Sequence, residues 1–286
     1  MKTCHILYVG NAGQEMLNIE DNSIGLVFTS PPYWNIKDYN VEGQIGYDQP
    51  YEAYIESLKQ VWSECKRVLM PGCKLVINIG DQFLRSKDNG GVYEIKPIHA
   101  DIIKSCQGLG FRFLGNIIWR KITTTNTTGG CSWMGSIYYP RDGYITYEHE
   151  YIIIFKKDGK APRPSKEAKE LSRLPKEYRS KWFRGIWDDI PPEKQDRHCA
   201  MFPEELPTRI IRMFSFAGET VLDPFVGSGT TMVAAQNWHR NSVGIELNHE
   251  FIPLIKSRVK NVILKGELIS NWEKRENEPG SRENMA

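Results

Sequence analysis

The amino-acid sequence predicts an α/β fold, a doubly wound and mostly parallel sheet that carries a basic insert. Three observations predict it. Short apolar runs alternate with segments of helical periodicity, the pattern of a sheet covered by crossover helices. A glycine-rich turn, Asp223-Pro-Phe-Val-Gly227-Ser-Gly229-Thr-Thr231, joins an apolar run to a helical one. Between Lys156 and Arg184, eleven basic side chains face four acidic ones, so this window carries +7 in a chain of net charge +2 and the remainder carries −5.

Each element has a local reason. Residues 5–10 and 24–29 read as short buried strands. Pro50 opens a helix with apolar residues at 54, 58, 61, 65 and 68, and Pro71-Gly72 ends it. Residues 74–80 form a strand, Pro97 starts a helix, and 111–119 form a strand after the Gly108-Leu-Gly110 break. Residues 123–147, rich in Thr, Gly and aromatics, have the composition of a long functional loop, and 145–155 read as a strand. Beyond the basic window, 203–214, 230–238 and 249–259 are helical, with strands at 220–222 and 242–246.

Composition excludes several classes. With 40% hydrophobic and 25% charged residues, the chain is neither disordered nor fibrous. Its longest apolar runs, such as 151–155, fit a buried strand and fall far short of a bilayer span. The start, Met1-Lys2-Thr3-Cys4-His5, lacks the apolar core of a signal peptide, so a cytoplasmic location is expected. The cysteines at 4, 65, 73, 106, 131 and 199 are scattered, which suits reduced thiols better than a disulfide framework or a zinc site. No metal is expected.

The basic window reads as an insert that grips phosphates through Lys156, Lys157, Lys160, Arg163, Lys166, Arg173, Lys181 and Arg184. Its plainer alternative is a solvated, salt-bridged surface helix. In the glycine turn, Gly227 and Gly229 let the backbone approach a ligand at the carboxyl end of a strand. The turn has no lysine, which excludes a phosphate-cradling P-loop, and Met232 stands where a dinucleotide fingerprint wants its third glycine. What remains is a turn for a ligand with a nucleoside and a cationic or zwitterionic arm. Glu246, at the tip of the next strand, stands where ribose hydroxyls are usually held.

The segment Ser30-Pro31-Pro32-Tyr33-Trp34 directly follows an apolar strand. Two prolines fix the backbone and remove two donors. The Ser30 hydroxyl and the Pro31 carbonyl can then accept from a planar amino group and aim its nitrogen lone pair at an electrophile. Tyr33 and Trp34 can stack on a base, worth about 1–3 kcal/mol. That is comparable to the few kcal/mol that extracting a base from the duplex costs.

Together these segments resemble the permuted, β-class amino-DNA methyltransferases over residues 5–262. The resemblance implies a Rossmann-like methyltransferase sheet, S-adenosylmethionine as cofactor, double-stranded DNA as partner, and room for a companion restriction endonuclease. It divides the chain into a catalytic half (1–155), a target-recognition insert (156–197), a cofactor half (198–265) and a polar tail (266–286). Ser30 to Tyr33 resemble the catalytic motif and Asp223 to Thr231 the cofactor motif, which implies Asp223, Phe225, Gly227, Gly229 and Thr230 as cofactor contacts. Gly10-Asn11 resembles the pair that touches the cofactor adenine. His198-Cys-Ala-Met-Phe202-Pro203 resembles the His-Pro-x-x-Phe-Pro segment that lines its methionine end. Gly25 and Cys199 depart from the family, which commonly has Asp and Pro there.

Ser-Pro-Pro-Tyr is more typical of enzymes acting on cytosine N4 and Asp-Pro-Pro-Tyr of those acting on adenine N6, although both amino groups suit the same acceptors. A protein-glutamine or RNA methyltransferase is the nearest alternative, but its motifs run in the reverse order. A zinc nucleobase deaminase needs His-x-Glu and Pro-Cys-x-x-Cys, both absent. A catalytically silent nucleic-acid-binding module fits poorly with an intact Ser30-Pro-Pro-Tyr33 and Glu246.

Overall fold

The computed structural model describes residues 1–35, 38, 41–84, 89–92, 94–121, 141, 148–192 and 202–266. Most of the expected 123–147 loop, residues 198–201 and the tail from 267 lie outside the described residues. From the N terminus run β1 (His5–Val9), α1 (Ala12–Glu15), β2 (Ile24–Thr29), α2 (Tyr51–Val68) and β3 (Leu69–Ile79). A hairpin of β4 (Gln82–Leu84) and β5 (Glu94–Lys96) follows, then α3 (Ile98–Gly108), β6 (Arg112–Arg120) and β7 (His149–Lys156). Next come α4 (Lys166–Leu171), α5 (Lys176–Trp182), β8 (Ile186–Trp187), α6 (Glu205–Phe214) and β9 (Thr220–Asp223). The described chain ends with α7 (Thr230–Asn237), β10 (Asn241–Glu246), α8 (Ile252–Arg258) and β11 (Val262–Lys265).

Nine strands form one sheet in the order β11-β1-β10-β9-β2-β3-β7-β6-β8. All its pairs are parallel except those of β7, which runs antiparallel between β3 and β6. All six residues of β2 are buried, as a central parallel strand covered on both faces requires. Val27, Leu75, Ile77 and Ile153 join the core under α2 and α3. Their neighbours Leu26, Phe28, Val76 and Ile152 join the opposite core, under α5, α6 and α7. The sheet is doubly wound, as predicted. Helix α2 presents Tyr54, Leu58, Val61, Trp62, Cys65 and Val68 to the sheet, a helical stripe. No described helix is long and apolar enough to cross a membrane.

Two local expectations need correction. β3 begins at Leu69, not at residue 74, so Pro71-Gly72 lies within the strand rather than after the helix. A register shift between Ile24 and Leu26 in the β2–β3 ladder accommodates it. Three short edge elements, β8, β11 and the β4–β5 hairpin, are not apparent from the sequence pattern.

The direction of β7 has a larger effect. The strands β1, β10, β9, β2, β3 and β6 end on one side of the sheet, whereas β7 begins there and leaves at the other. The Lys157 carbonyl accepts from Gly72 N at 3.0 Å, and its ammonium donates to the Leu69 carbonyl at 2.6 Å and to Asn22 Oδ1 at 2.8 Å. After α4, Ser172 Oγ accepts from Ala217 N at 2.7 Å, where the chain approaches the start of β9. Lys156, Lys157, Lys160, Arg163, Lys166 and Arg173 therefore lie toward the amino ends of the parallel strands, on the side away from Ser30. Lys157 is a structural lysine. Only Lys181 and Arg184 come back toward the crevice, beside β8, which pairs with β6 at Ile118 and Trp119.

Candidate active site

At the carboxyl ends of β1, β10, β9 and β2, successive hydrogen bonds tie the predicted motifs into a row. Gly10 N donates to the Glu246 carbonyl at 2.9 Å. Gly227 N and Asn248 N donate to the two Glu246 carboxylate oxygens, each at 2.8 Å. Asp223, 1% exposed, accepts at Oδ1 from Thr29 Oγ1 at 2.6 Å and Phe225 N at 3.1 Å, and at Oδ2 from Thr231 Oγ1 at 2.6 Å. Thr29 immediately precedes Ser30, so the glycine turn is bonded to the strand that leads into the Ser30-Pro31-Pro32-Tyr33 segment.

Burial raises the Asp223 carboxyl to about 6, against the pull of Thr231, Thr29 and the Phe225 N–H. Burial likewise raises Glu246 to about 7, opposed by the N–H groups of Asn248 and Gly227 and assisted by the Asp223 charge. Each carboxylate oxygen has a second lone pair. Glu246 can thus keep both backbone donors and still accept from vicinal ribose hydroxyls.

Gly227 has φ +53, and a Cβ built there meets nothing within 4 Å. The turn demands a glycine-like backbone and leaves open space before it, a cradle for a ligand. Gly229 has φ +82 and starts α7, while Thr230 is buried and bonds Ser228 Oγ at 3.1 Å. Gly244 keeps α7 close, since a Cβ there would stand 2.8 Å from Met232 Sδ. Asn11 caps α1, accepting from Gly13 N at 2.9 Å, and borders an open cleft of about 910 Å³ shared with Gly10, Gly43 and Leu247. That cleft covers the β1–β10 end of the row and stops short of Ser30.

At the other end, the Pro31-Pro32 turn is pinned from below. Tyr54 donates its hydroxyl to the Pro32 carbonyl at 2.9 Å, one residue beyond the carbonyl expected to hold an amino group. Phe202, beside buried Pro203, packs edge-on against Phe28 with ring centroids 5.7 Å apart. Tyr33 is partly exposed, and its ring lies beside Glu150 across Gly80, where a Cβ would stand 3.5 Å from the ring and 3.4 Å from Glu150 Cγ. Its hydroxyl is held well above the usual phenol range, first by burial and then by the Glu150 charge. Trp34 departs from the expected stacking role. It is 8% exposed, donates to the Gln49 carbonyl at 2.8 Å and packs edge-on against Tyr51, all within the core.

Sequence reasoning missed Asn78, Lys121 and Glu150, which meet beneath Tyr33. Their only signal was a polar residue inside each of two strongly apolar strands. It also missed Asp81 and His99, joined at 2.7 Å, with the His99 ring stacked on Tyr151 at 3.8 Å.

The chain belongs to the DNA methylase family of N6/N4 amino-methyltransferases, whose model matches residues 24–257. It is 36% identical to the Type II methyltransferase M.MthZI of Methanothermobacter thermautotrophicus, over 94% of this chain and 80% of that one. It is also 36% identical to the Type II methyltransferase M.MjaI of Methanocaldococcus jannaschii, over 90% and 91%. Among solved structures, TTHA0409 of Thermus thermophilus, crystallised with S-adenosyl-L-methionine, superposes with a TM-score of 0.75 at 40% identity, covering 92% of this chain and 99% of its own.

Proposed function

We propose that this chain transfers a methyl group from S-adenosylmethionine to the exocyclic amino group of a base flipped out of double-stranded DNA, cytosine N4 in particular. The observation that carries the reading is the Thr29–Asp223 bond, which ties the glycine turn to the strand end that leads into Ser30. Asp223 offers negative charge to the cationic arm of the cofactor. Glu246 serves the ribose, Gly227 leaves room for close approach, Asn11 borders the adenine end, and Phe202 lies toward the methionine end. The family relationship and the cofactor bound by TTHA0409 support S-adenosylmethionine as the occupant. Bound there, it supplies an electrophilic methyl group on a sulfonium sulfur.

The protein contributes position and polarity. Ser30 Oγ and the Pro31 carbonyl accept the two amino N–H bonds, turn the nitrogen lone pair out of the ring plane and stabilise the positive charge that develops there. Tyr33 supplies the stacking face. The base nitrogen is the nucleophile, and no thiol is needed. Cys65, Cys73 and Cys106 are buried, and burial raises each thiol above its ordinary range.

Serine at the head of the Pro-Pro-Tyr motif supports cytosine N4, because aspartate is more typical of the adenine enzymes. The Type II relatives support a place beside a companion restriction endonuclease. The test is to incubate the protein with unmethylated DNA and labelled S-adenosylmethionine, digest to nucleosides and weigh the product. N4-methylcytidine in its deoxy form is expected. The N6-methyladenine nucleoside would reassign the base. Label in RNA or in protein glutamine but not in DNA would overturn the reading.

A further inference from the structure

Between β2 and α2, residues 41–49 form a strap that reaches from the Asn11 cleft to the turn after Ser30. At one end, Val41, Glu42 and Gly43 line the cleft together with Asn11. Asn11 Nδ2 donates to the Gly43 carbonyl at 3.3 Å, while its Oδ1 keeps the cap on Gly13 N. At the other end, Gly46 packs against the turn, since a Cβ there would lie 3.5 Å from Trp34 Cα and 3.4 Å from the Tyr54 ring. Asn35 N donates to the Gly46 carbonyl at 3.3 Å, and the Trp34 indole donates to the Gln49 carbonyl at 2.8 Å. Gln49 also closes the strap on itself, its Oε1 accepting from Gly46 N at 2.9 Å.

Gln49 therefore acts on the turn twice. Its carbonyl takes the Trp34 N–H, and its side chain fixes Gly46, whose carbonyl takes the Asn35 N–H. Tyr54 holds the Pro32 carbonyl. Tyr33 thus stands between tethered neighbours, and the tethers on its C-terminal side end on the strap.

The strap itself is lightly built. Of residues 41–49 only Gly46 is buried, and Gly43 and Gly46 hold φ of +81 and +102. A segment with so little buried surface opens at a small cost in free energy. A ligand packed on Val41 to Gly43 depletes the open forms, and a second ligand then finds the turn already ordered. That is positive coupling. We infer that Gln49 is a positioning residue, through which cofactor in the Asn11 cleft steadies Tyr33 and Trp34 for the incoming base. The inference rests on the proposed placement of the cofactor adenine beside Asn11 and of the base on Tyr33.

The test follows hydrogen exchange at the Asn35 and Gly46 amides and the Trp34 indole, with and without saturating S-adenosylmethionine. Wild type is compared with Gln49→Ala, Gln49→Glu and Asn11→Asp. Melting temperature, the Kd for S-adenosylmethionine and single-turnover methyl transfer to unmethylated plasmid DNA are measured alongside. Gln49→Glu keeps an acceptor for Gly46 N, whereas Gln49→Ala has none. Asn11→Asp keeps the Gly13 cap but has no donor for the Gly43 carbonyl.

In wild type, cofactor should slow exchange at Asn35 and Trp34 roughly 5- to 150-fold, the ordinary scale of coupling between two sites. Gln49→Ala should still bind cofactor yet lose that change, and it should slow methyl transfer at saturating cofactor. Gln49→Glu should restore both. Asn11→Asp should lose the change with the Gln49 hydrogen bonds intact. A merely destabilised protein would exchange faster in both states and keep the wild-type ratio between them.

Wild-type exchange that ignores bound cofactor would overturn the inference, as would a wild-type ratio in Gln49→Ala. Should Gln49→Ala fail to fold, Asn11→Asp against wild type gives the same comparison. Wild type that fails to bind S-adenosylmethionine would overturn both this inference and the proposed reaction. A turn that tightens with cofactor in a protein that methylates no DNA would overturn the reaction alone.

Discussion

Thr29 donates its hydroxyl hydrogen to Asp223 Oδ1 at 2.6 Å across 194 residues of sequence. The bond lies between adjacent parallel strands and has a charged acceptor that is almost wholly buried. Removing it leaves Asp223 with Thr231 and the Phe225 N–H. Thr29→Val should cost about 1.5–3 kcal/mol of stability, the range for hydrogen bonds to charged groups. Urea unfolding measures that loss. Because Ser30 is attached to the same strand end, methyl transfer should slow as well, and Thr29→Ser should restore both.

The raised Glu246 carboxyl makes opposite predictions for stability and binding. Glu246 has a folded pKa of about 7 against an ordinary 4.5. Its contribution to stability is fully present below 4.5 and is lost as pH rises through about 7, because the folded site disfavours the charge. On the proposed reading cofactor binding should run the other way, since an ionised carboxylate can accept from both ribose hydroxyls. S-adenosylmethionine affinity, followed by calorimetry, should weaken as pH falls below about 7, and Glu246→Gln should flatten that dependence.

Gly25 has a local cause. A Cβ there would stand 2.9 Å from both Glu219 Cβ and Glu219 Oε2. Glu219 accepts from Phe216 N at 2.8 Å, and burial already raises its carboxyl. Restoring the family's usual Asp by Gly25→Asp should therefore destabilise by about 1–3 kcal/mol through overpacking, with like-charge repulsion added. Adding Glu219→Gly should recover most of it. Equal melting temperatures for the single and double variants would remove Glu219 as the cause.

The placement of the basic side chains can be tested by salt titration of DNA binding. Lys160, Lys166 and Arg173 lie away from the crevice, so neutralising all three should leave the salt dependence unchanged. Arg184 and Arg120 stand nearer to it. Replacing each with Ala should reduce the slope of log affinity against log salt by about 0.9 for every phosphate that is no longer neutralised.

The elements most legible in the sequence are those whose pattern and burial agree. β2 is apolar throughout and buried throughout, and α2 carries one clean stripe. The edge strands β8 and β11 were hidden because only alternate residues face the protein, and such short mixed runs resemble loops. The glycine turn, Glu246 and Ser30 to Tyr33 could be located because their chemistry is local. Glu150, Asn78 and Lys121 could not, since their meaning arises only when β7 is laid antiparallel beside β3. The same pairing decides the basic window: composition shows where charge lies along the chain, but not at which end of the sheet it emerges. Trp34 illustrates the reverse error, an aromatic whose neighbour in sequence faces the crevice while its own ring turns inward to Tyr51.

β1 lies between β10 and β11, and both of its neighbours come from the C-terminal part of the chain. During synthesis the first strand therefore leaves the ribosome with two bare edges and must wait for residues 241–265 before either is covered. Long-range parallel pairing is slow, and unpaired edges are adhesive. A polypeptide halted before β10 would also lack Glu246, so premature termination should yield an inert, aggregation-prone fragment that depends on chaperones, rather than an enzyme of reduced activity.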